Sequence, residues 1–163
     1  MAAGVLLVAQ DDPSPLVFLV RHNSRNWYEM PGGRRQSVSG PDGERSETAY
    51  ETAIREAFEE TRGYLSPDQL RDIVDPSCSM RDGGFVFFFG SIERFPVSAI
   101  GELAHLDDDS ASGFREVADY AWVAVDGILA SDGISVIDVN GRSIELRREL
   151  KSRLLGARAA GWF

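Results

Sequence analysis

Apolar residues fall in short unbroken runs near both ends of the chain, with a helical stagger between them. Residues 4–9 (GVLLVA) and 16–21 (LVFLVR) are two such runs, separated by the turn-forming DDPSP. Short apolar runs bounded by Asp and Pro predict two buried strands lying as close neighbours or a hairpin. Residues 85–92 (FVFFFGSI) form a third run, the pattern of a central strand packed on both faces. Residues 116–125 (EVADYAWVAV) predict another aromatic-bearing strand. Between the runs, Tyr50, Ala53, Ile54, Ala57 and Phe58 recur at i, i+3, i+4, i+7 and i+8, the apolar stripe of a helix within 47–65. At about 100° per residue, Arg55, Glu56, Glu59 and Glu60 fall on the opposite side.

The connecting segments carry their own signals. Residues 22–26 (HNSRN) read as a polar loop that includes His22, and Pro31-Gly32-Gly33 as a sharp turn whose bare backbone can approach a ligand. Trp27, just before it, has two readings, a core side chain or a base-stacking platform, and the core reading is the commoner. Residues 34–46, rich in Gly, Ser and Pro, predict a flexible surface excursion. Ser66 with Pro67 behind it opens a short helix ending at Ile73. Residues 76–84 read as loop, and the charge run at 106–110 as a solvated loop. A short helix from Val125, a hairpin turning at Asn140-Gly141, and a closing helix at 145–159 on Leu146, Leu150, Leu154 and Leu155 complete the chain. Strands, a central helix, more strands and a last helix make the predicted class α+β, and the absence of linkers or repeats predicts one domain over 1–163.

Composition narrows the function classes. A net charge of −9 argues against a nucleic-acid surface, which needs a basic stripe. One cysteine, Cys78, precludes an internal disulfide, in keeping with a cytoplasmic protein. The apolar run 5–9 has no cationic flank and is too short to span a bilayer, so no membrane association is expected.

The acidic side of the central helix invites either of two readings. It is a solvated face, or it is a cluster held for a cation. Glu59 and Glu60 precede Gly63, a helix-stop residue, and so stand where the helix dipole disfavours carboxylates. Like charges one turn apart also repel. Such a cluster gains a purpose when a hard divalent ion such as Mg2+ or Mn2+ joins it.

Glu47, seven residues, then Arg55-Glu56-Ala57-Phe58-Glu59-Glu60 resembles the core of the Nudix box, G-x5-E-x7-R-E-U-x-E-E-x-G-U. Trp27 to Gly33 resembles the Pro-Gly-Gly segment that leads into that box. Together the two cover about forty residues. Where the family pattern has five residues before its first glutamate, this chain has thirteen, 34–46, an excess of about eight. Two residues, not one, separate Glu60 from Gly63.

The resemblance implies a Nudix α/β/α sandwich, a mixed sheet between helices. It implies a pyrophosphohydrolase that cleaves a nucleoside diphosphate linked to another group, with Mg2+ or Mn2+ held by Glu56, Glu59, Glu60 and the Gly32 carbonyl. Arg55 would orient Glu51 and Glu59, and Glu47 would brace Arg55 or the glycine loop. The base is Glu59 or Glu116, an acid standing before the Trp122 strand, with Asp119 competing. Arg34 and Arg35 are candidates for phosphate contacts. No downstream signature of the NADH or coenzyme A pyrophosphatases is present, so the nucleotide-type partner is left unspecified, as is a homodimer. The contrasting reading is a Nudix-fold nucleotide sensor without catalysis.

Overall fold

The run at the N-terminus becomes the middle of a mixed sheet. The computed structural model describes residues 1–11, 13–41, 43–102 and 116–163. Its strands in chain order are β1 (Ala2–Ala9), β2 (Leu16–His22), β3 (Trp27–Tyr28), β4 (Gly32–Arg34), β5 (Ser37–Gly40), β6 (Gly43–Ser46), β7 (Val74–Asp82), β8 (Phe85–Ser91), β9 (Val117–Ala124), β10 (Ser135–Ile137) and β11 (Ser143–Leu146). The helices are α1 (Ala49–Glu60), α2 (Pro67–Ile73), α3 (Ser98–Glu102), α4 (Val125–Ala130) and α5 (Glu149–Ala159).

The main sheet runs β7-β8-β1-β2-β9. β1 lies parallel to β8 from Ala2↔Phe85 to Val8↔Ser91. Its other edge is shared, with β4 pairing its first half and β2 its second. Because side chains alternate across a strand, each apolar run feeds two cores. Val5, Leu7, Phe18, Phe88 and Trp122 pack on one face with Ala53, Ile54 and Ala57 of α1. Leu6, Val8, Leu19, Phe87 and Val123 pack on the other with Leu150 and Leu154 of α5 and Ile128 of α4. This is the expected α+β arrangement, a mixed sheet with helices on both faces. Among the described residues no helix is long and apolar enough to cross a membrane.

α1 has defined ends. Thr48 caps its start in a reciprocal capping box with Glu51, which satisfies backbone N–H groups that the first turn leaves free. The chain leaves the helix through Arg62 (φ 51°) and Gly63 (φ 76°), with the Gly63 N–H donating to the Phe58 carbonyl at 2.9 Å. Two consecutive residues in the left-handed region stop the helix firmly.

Several sequence expectations are corrected. Residues 34–46 are not a formless excursion: β5 and β6 pair from Ser37↔Ser46 to Gly40↔Gly43. Arg45 clamps this hairpin to α1 through a two-pronged contact with Glu51, at 2.8 and 2.6 Å. Arg45 and the Thr48 N–H together hold the Glu51 carboxyl down to about 2. Glu51 is therefore committed to Arg45 and not to Arg55. Residues 76–84, read as loop, supply most of β7; it is an edge strand, where Pro76 is tolerated, and its register shifts between Val74 and Ser79. Leu146 lies in β11, so the closing helix begins at Glu149, and Leu155 is exposed. Trp27 is 40% exposed and not in the core. The charge run at 106–110 lies outside the described residues.

Trp122 is the largest fully buried side chain, packed against Phe18 and Phe95, with its Nε1–H donating to the Phe95 carbonyl at 2.9 Å. Trp122→Ala is expected to cost about 3–5 kcal/mol, read as a lowered urea midpoint. A loss below about 1 kcal/mol would mean that this core is not packed as described.

Candidate active site

The box helix presents its charged side toward the turn at Pro31 and the base of the hairpin. Arg55 lies at the centre. Its Nε donates to Glu47 Oε1 at 2.7 Å and its Nη2 to Glu47 Oε2 at 3.0 Å. Nη1 meets Glu56 Oε1 and Glu59 Oε2, both at 2.9 Å. Nη2 also reaches the Arg34 carbonyl at 2.8 Å. Burial alone would weaken the guanidinium's hold on its proton. The carboxylates of Glu47, Glu56 and Glu59 outweigh that and raise its pKa above the ordinary arginine value.

Each glutamate has a different environment. Glu47 is buried, which pushes its carboxyl up, but Arg55, the Gln36 N–H and the Thr52 hydroxyl (both at 3.0 Å) bring it below the usual range. Glu56 is raised, first by desolvation and then by the charges of Glu59 and Glu116, against the pull of Arg55. The carboxylate of Glu56 sits over bare backbone: a Cβ on Gly33 would lie 2.3 Å from its Oε1. Glu59 remains partly open, with only Arg55 as its ion-pair partner among the described residues.

Glu60 departs from the charged side, opposite the apolar stripe, on which its spacing placed it. It is 2% exposed, its Oε2 accepts the Gly32 N–H at 2.9 Å, and its Oε1 lies 2.8 Å from His22 Nε2. Desolvation pushes its carboxyl up to about 7, helped by Glu56 and opposed by His22 and the Gly32 N–H. His22 is correspondingly a buried residue at the end of β2 and not a loop residue. The sequence reading missed this pairing. Its one signal was that Glu60 stands at i+7 from Ala53 and i+3 from Ala57, on the apolar stripe itself.

The other candidates divide. Glu116 is exposed just before β9, and its carbonyl accepts the Asn23 N–H at 2.8 Å. Arg62 at the end of α1 donates to the neighbouring Val117 carbonyl at 2.8 Å, which ties this corner to the helix. The charge of Glu116 is felt by Glu56. Asp119 is not brought to the cluster; it is occupied by the Tyr28 hydroxyl and by Arg142 Nη1 at 2.9 Å. Arg34 is exposed in β4, and Arg35 is half-buried beside it. Neither guanidinium meets a carboxylate among the described residues.

Among the described residues no three acidic, histidine or cysteine side chains converge as a closed metal cage. The donor set nevertheless fits a hard divalent ion. It is all oxygen, it includes two carboxyls whose pKa is raised by burial and by neighbouring carboxylates, and it faces a backbone stripped of side chains at Gly32 and Gly33. A cation would add to the charge compensation that Arg55 and His22 provide.

The family profile described as NUDIX domain matches residues 1–137. A Caenorhabditis elegans Ap4A hydrolase binary complex superposes with a TM-score of 0.52 at 16% identity, over 99% of both chains. The NUDIX domain of Shewanella oneidensis NrtR complexed with ADP ribose gives 0.55 at 14% identity, over 98% of this chain and 86% of that one. A stretch of 97 residues is 28% identical to human vascular cell adhesion protein 1; it spans 57% of this chain but 13% of that protein.

Two outcomes follow from this geometry. In Gly33→Ala the new methyl displaces the Glu56 carboxylate, the far end of a flexible side chain, toward solvent while the fold holds, so the Glu56 pKa should fall toward its ordinary value in a carboxyl NMR titration. An unmoved Glu56 would contradict the contact. For Glu60, the folded-state pKa lies above the unfolded one, so the folded chain holds this proton more tightly. In chelator its stability contribution is full below about 4.5 and is lost as pH rises through about 7, by up to roughly 3 kcal/mol. Glu60→Gln should flatten that slope in urea midpoints taken across this range.

Proposed function

The chain belongs to the NUDIX family, and from that premise we propose that it hydrolyses the pyrophosphate bond of a nucleoside diphosphate linked to another group. The observation that carries this reading is Arg55 bound at once to Glu47, Glu56 and Glu59, beside the bare Gly32-Gly33 backbone. A surface kept only for solubility would have no reason to bury a guanidinium among three carboxylates, since desolvation of such groups is costly. The net charge of −9 favours a small ligand over nucleic acid.

Glu56, Glu59, Glu60 and the Gly32 carbonyl would hold Mg2+ or Mn2+, which supplies charge neutralisation for the pyrophosphate and acidifies bound water. The chain's own contribution is positioning and proton handling. Arg55 fixes the Glu59 carboxylate by one hydrogen bond and leaves the rest of it open to take a proton from water. Glu116, exposed at the same corner, is the second candidate base. Glu47 holds Arg55 from the far side and binds the Gln36 N–H, so it is a positioning residue. His22 and the Gly32 N–H hold Glu60 in one orientation. Arg34 and Arg35 stand beside the glycine backbone and would meet phosphate oxygens.

The test is phosphate release, coupled to a phosphatase, from nucleoside triphosphates, dinucleoside polyphosphates, ADP-ribose, sugar nucleotides and NADH, with Mg2+, Mn2+ or chelator. Glu59→Gln should lower turnover by about 10²–10⁴-fold without lowering the melting temperature. Glu116→Gln should do the same if the base is at that corner, and full activity there would assign the base to Glu59. Full activity in Glu59→Gln would remove the proposed site. Nucleotide-induced stabilisation with no turnover on any substrate would make the chain a sensor instead.

A further inference from the structure

A second concavity lies away from the carboxylates, where β3 and β11 meet the start of α5. It encloses about 570 Å³ and is lined by Trp27, Ile134 and Leu146 together with the charged side chains of Arg25, Glu145, Arg147, Arg148 and Glu149. That volume is within the usual range of small-molecule pockets, roughly 300–1,000 Å³. Two of its large apolar side chains are open to solvent, Trp27 at 40% and Ile134 at 53% exposure. An indole left this accessible, in a chain that buries Trp122 completely, is a surface available for stacking.

The polar lining is fixed in place. Glu29 is buried behind it at 4% exposure, and both Arg25 and Arg147 are ion-paired to its carboxylate. Arg147 Nε also contacts Glu149 Oε2 at 3.1 Å. The Arg25 and Arg147 guanidinium groups are thus anchored in the cavity that Trp27 also lines. Charge then decides between ligands. Three guanidinium groups (Arg25, Arg147, Arg148) are matched by three carboxylates (Glu29, Glu145, Glu149), so the pocket has no net attraction for a phosphate. A neutral planar group with hydrogen-bonding edges fits instead, stacking on Trp27 and meeting the fixed donors and acceptors at its rim.

We propose that this pocket seats the nucleobase of the substrate, with Trp27 as its stacking platform; the proposal rests on the hydrolase reading for what lies beyond the base. Trp27 is five residues from Gly32, at most about 17 Å along an extended chain. On its other side, four residues before Trp27, the Asn23 N–H binds the carbonyl of Glu116 at 2.8 Å, so both flanks of Trp27 lead to residues of the candidate site. Chain connectivity thus keeps a base on Trp27 within a nucleotide's reach of the glycine turn that faces the glutamates.

The test is calorimetric titration in chelator with AMP, GMP, CMP and UMP, and with ribose 5-phosphate as a probe lacking a base. At least one nucleotide should bind the unsubstituted chain. Trp27→Ala should weaken it about tenfold or more, and Trp27→Phe should restore it to within about threefold. Ribose 5-phosphate should be indifferent to both changes. No nucleotide binding to the unsubstituted chain, unchanged binding in Trp27→Ala, or an equal loss for ribose 5-phosphate would each overturn the assignment. These titrations involve neither metal nor turnover, so their failure leaves the hydrolase reading standing, and an inactive enzyme that still binds through Trp27 leaves the pocket standing.

Discussion

The arrangement of Glu47, Glu56 and Glu59 at α1 depends on the Arg55 guanidinium. Two like charges about 4 Å apart repel by several kcal/mol at the dielectric of a partly buried site, and Glu47, Glu56 and Glu59 are crowded around one point. Arg55 satisfies all three and spends its remaining donor capacity on the Arg34 carbonyl. It thereby joins α1, the foot of the β5–β6 hairpin and β4. The reciprocal bonds between Glu47 and Gln36 close the same ring through the backbone. The inserted hairpin is consequently anchored at its foot to the charged cluster, and Arg45 holds it a second time at Glu51.

The second constraint is steric. β4 can pair with β1 only because glycines face each other there: a Cβ on Gly4 would lie 2.3 Å from the Pro31 carbonyl, and one on Gly32 would lie 2.7 Å from the Ala3 carbonyl. Those obstacles are backbone and cannot step aside. The close pairing brings Gly32 to Glu60 and Gly33 to Glu56. The strand that anchors the sheet and the backbone that lines the site are thus one feature of the sequence.

Most of the sheet could be read from the chain because apolar runs between turn residues are a strong local signal; β1, β2, β8 and β9 stand where the runs predicted them. The helical stagger likewise located α1, and the spacing of Arg55 and Glu59 anticipated their contact. The misses share a cause. β7 and the hairpin are held by pairing with distant or inserted segments, and their exposed, Pro- or Gly-bearing sequences lack the apolar alternation that marks a half-buried strand. Trp27 was misjudged because an aromatic residue's type says nothing of which edge of a small sheet it meets. The His22–Glu60 pair joins residues 38 apart in sequence, and only the sheet brings them together.

The segment from His22 to Gly32 links the two concave regions of the molecule. It leaves the main sheet at His22, returns to it through paired hydrogen bonds between Val20 and Glu29 at 2.8 and 3.0 Å, and enters β4 at Gly32. Along that path the side chains are divided between the two regions: His22 meets Glu60 at one, while Arg25, Trp27 and Glu29 build the other. The Val20–Glu29 bridge holds both in a fixed relation, because the backbone that positions Glu29 behind its arginines is hydrogen-bonded to the strand that carries His22. A ligand occupying both regions would meet a preformed frame, and little of its binding free energy would go into ordering the chain.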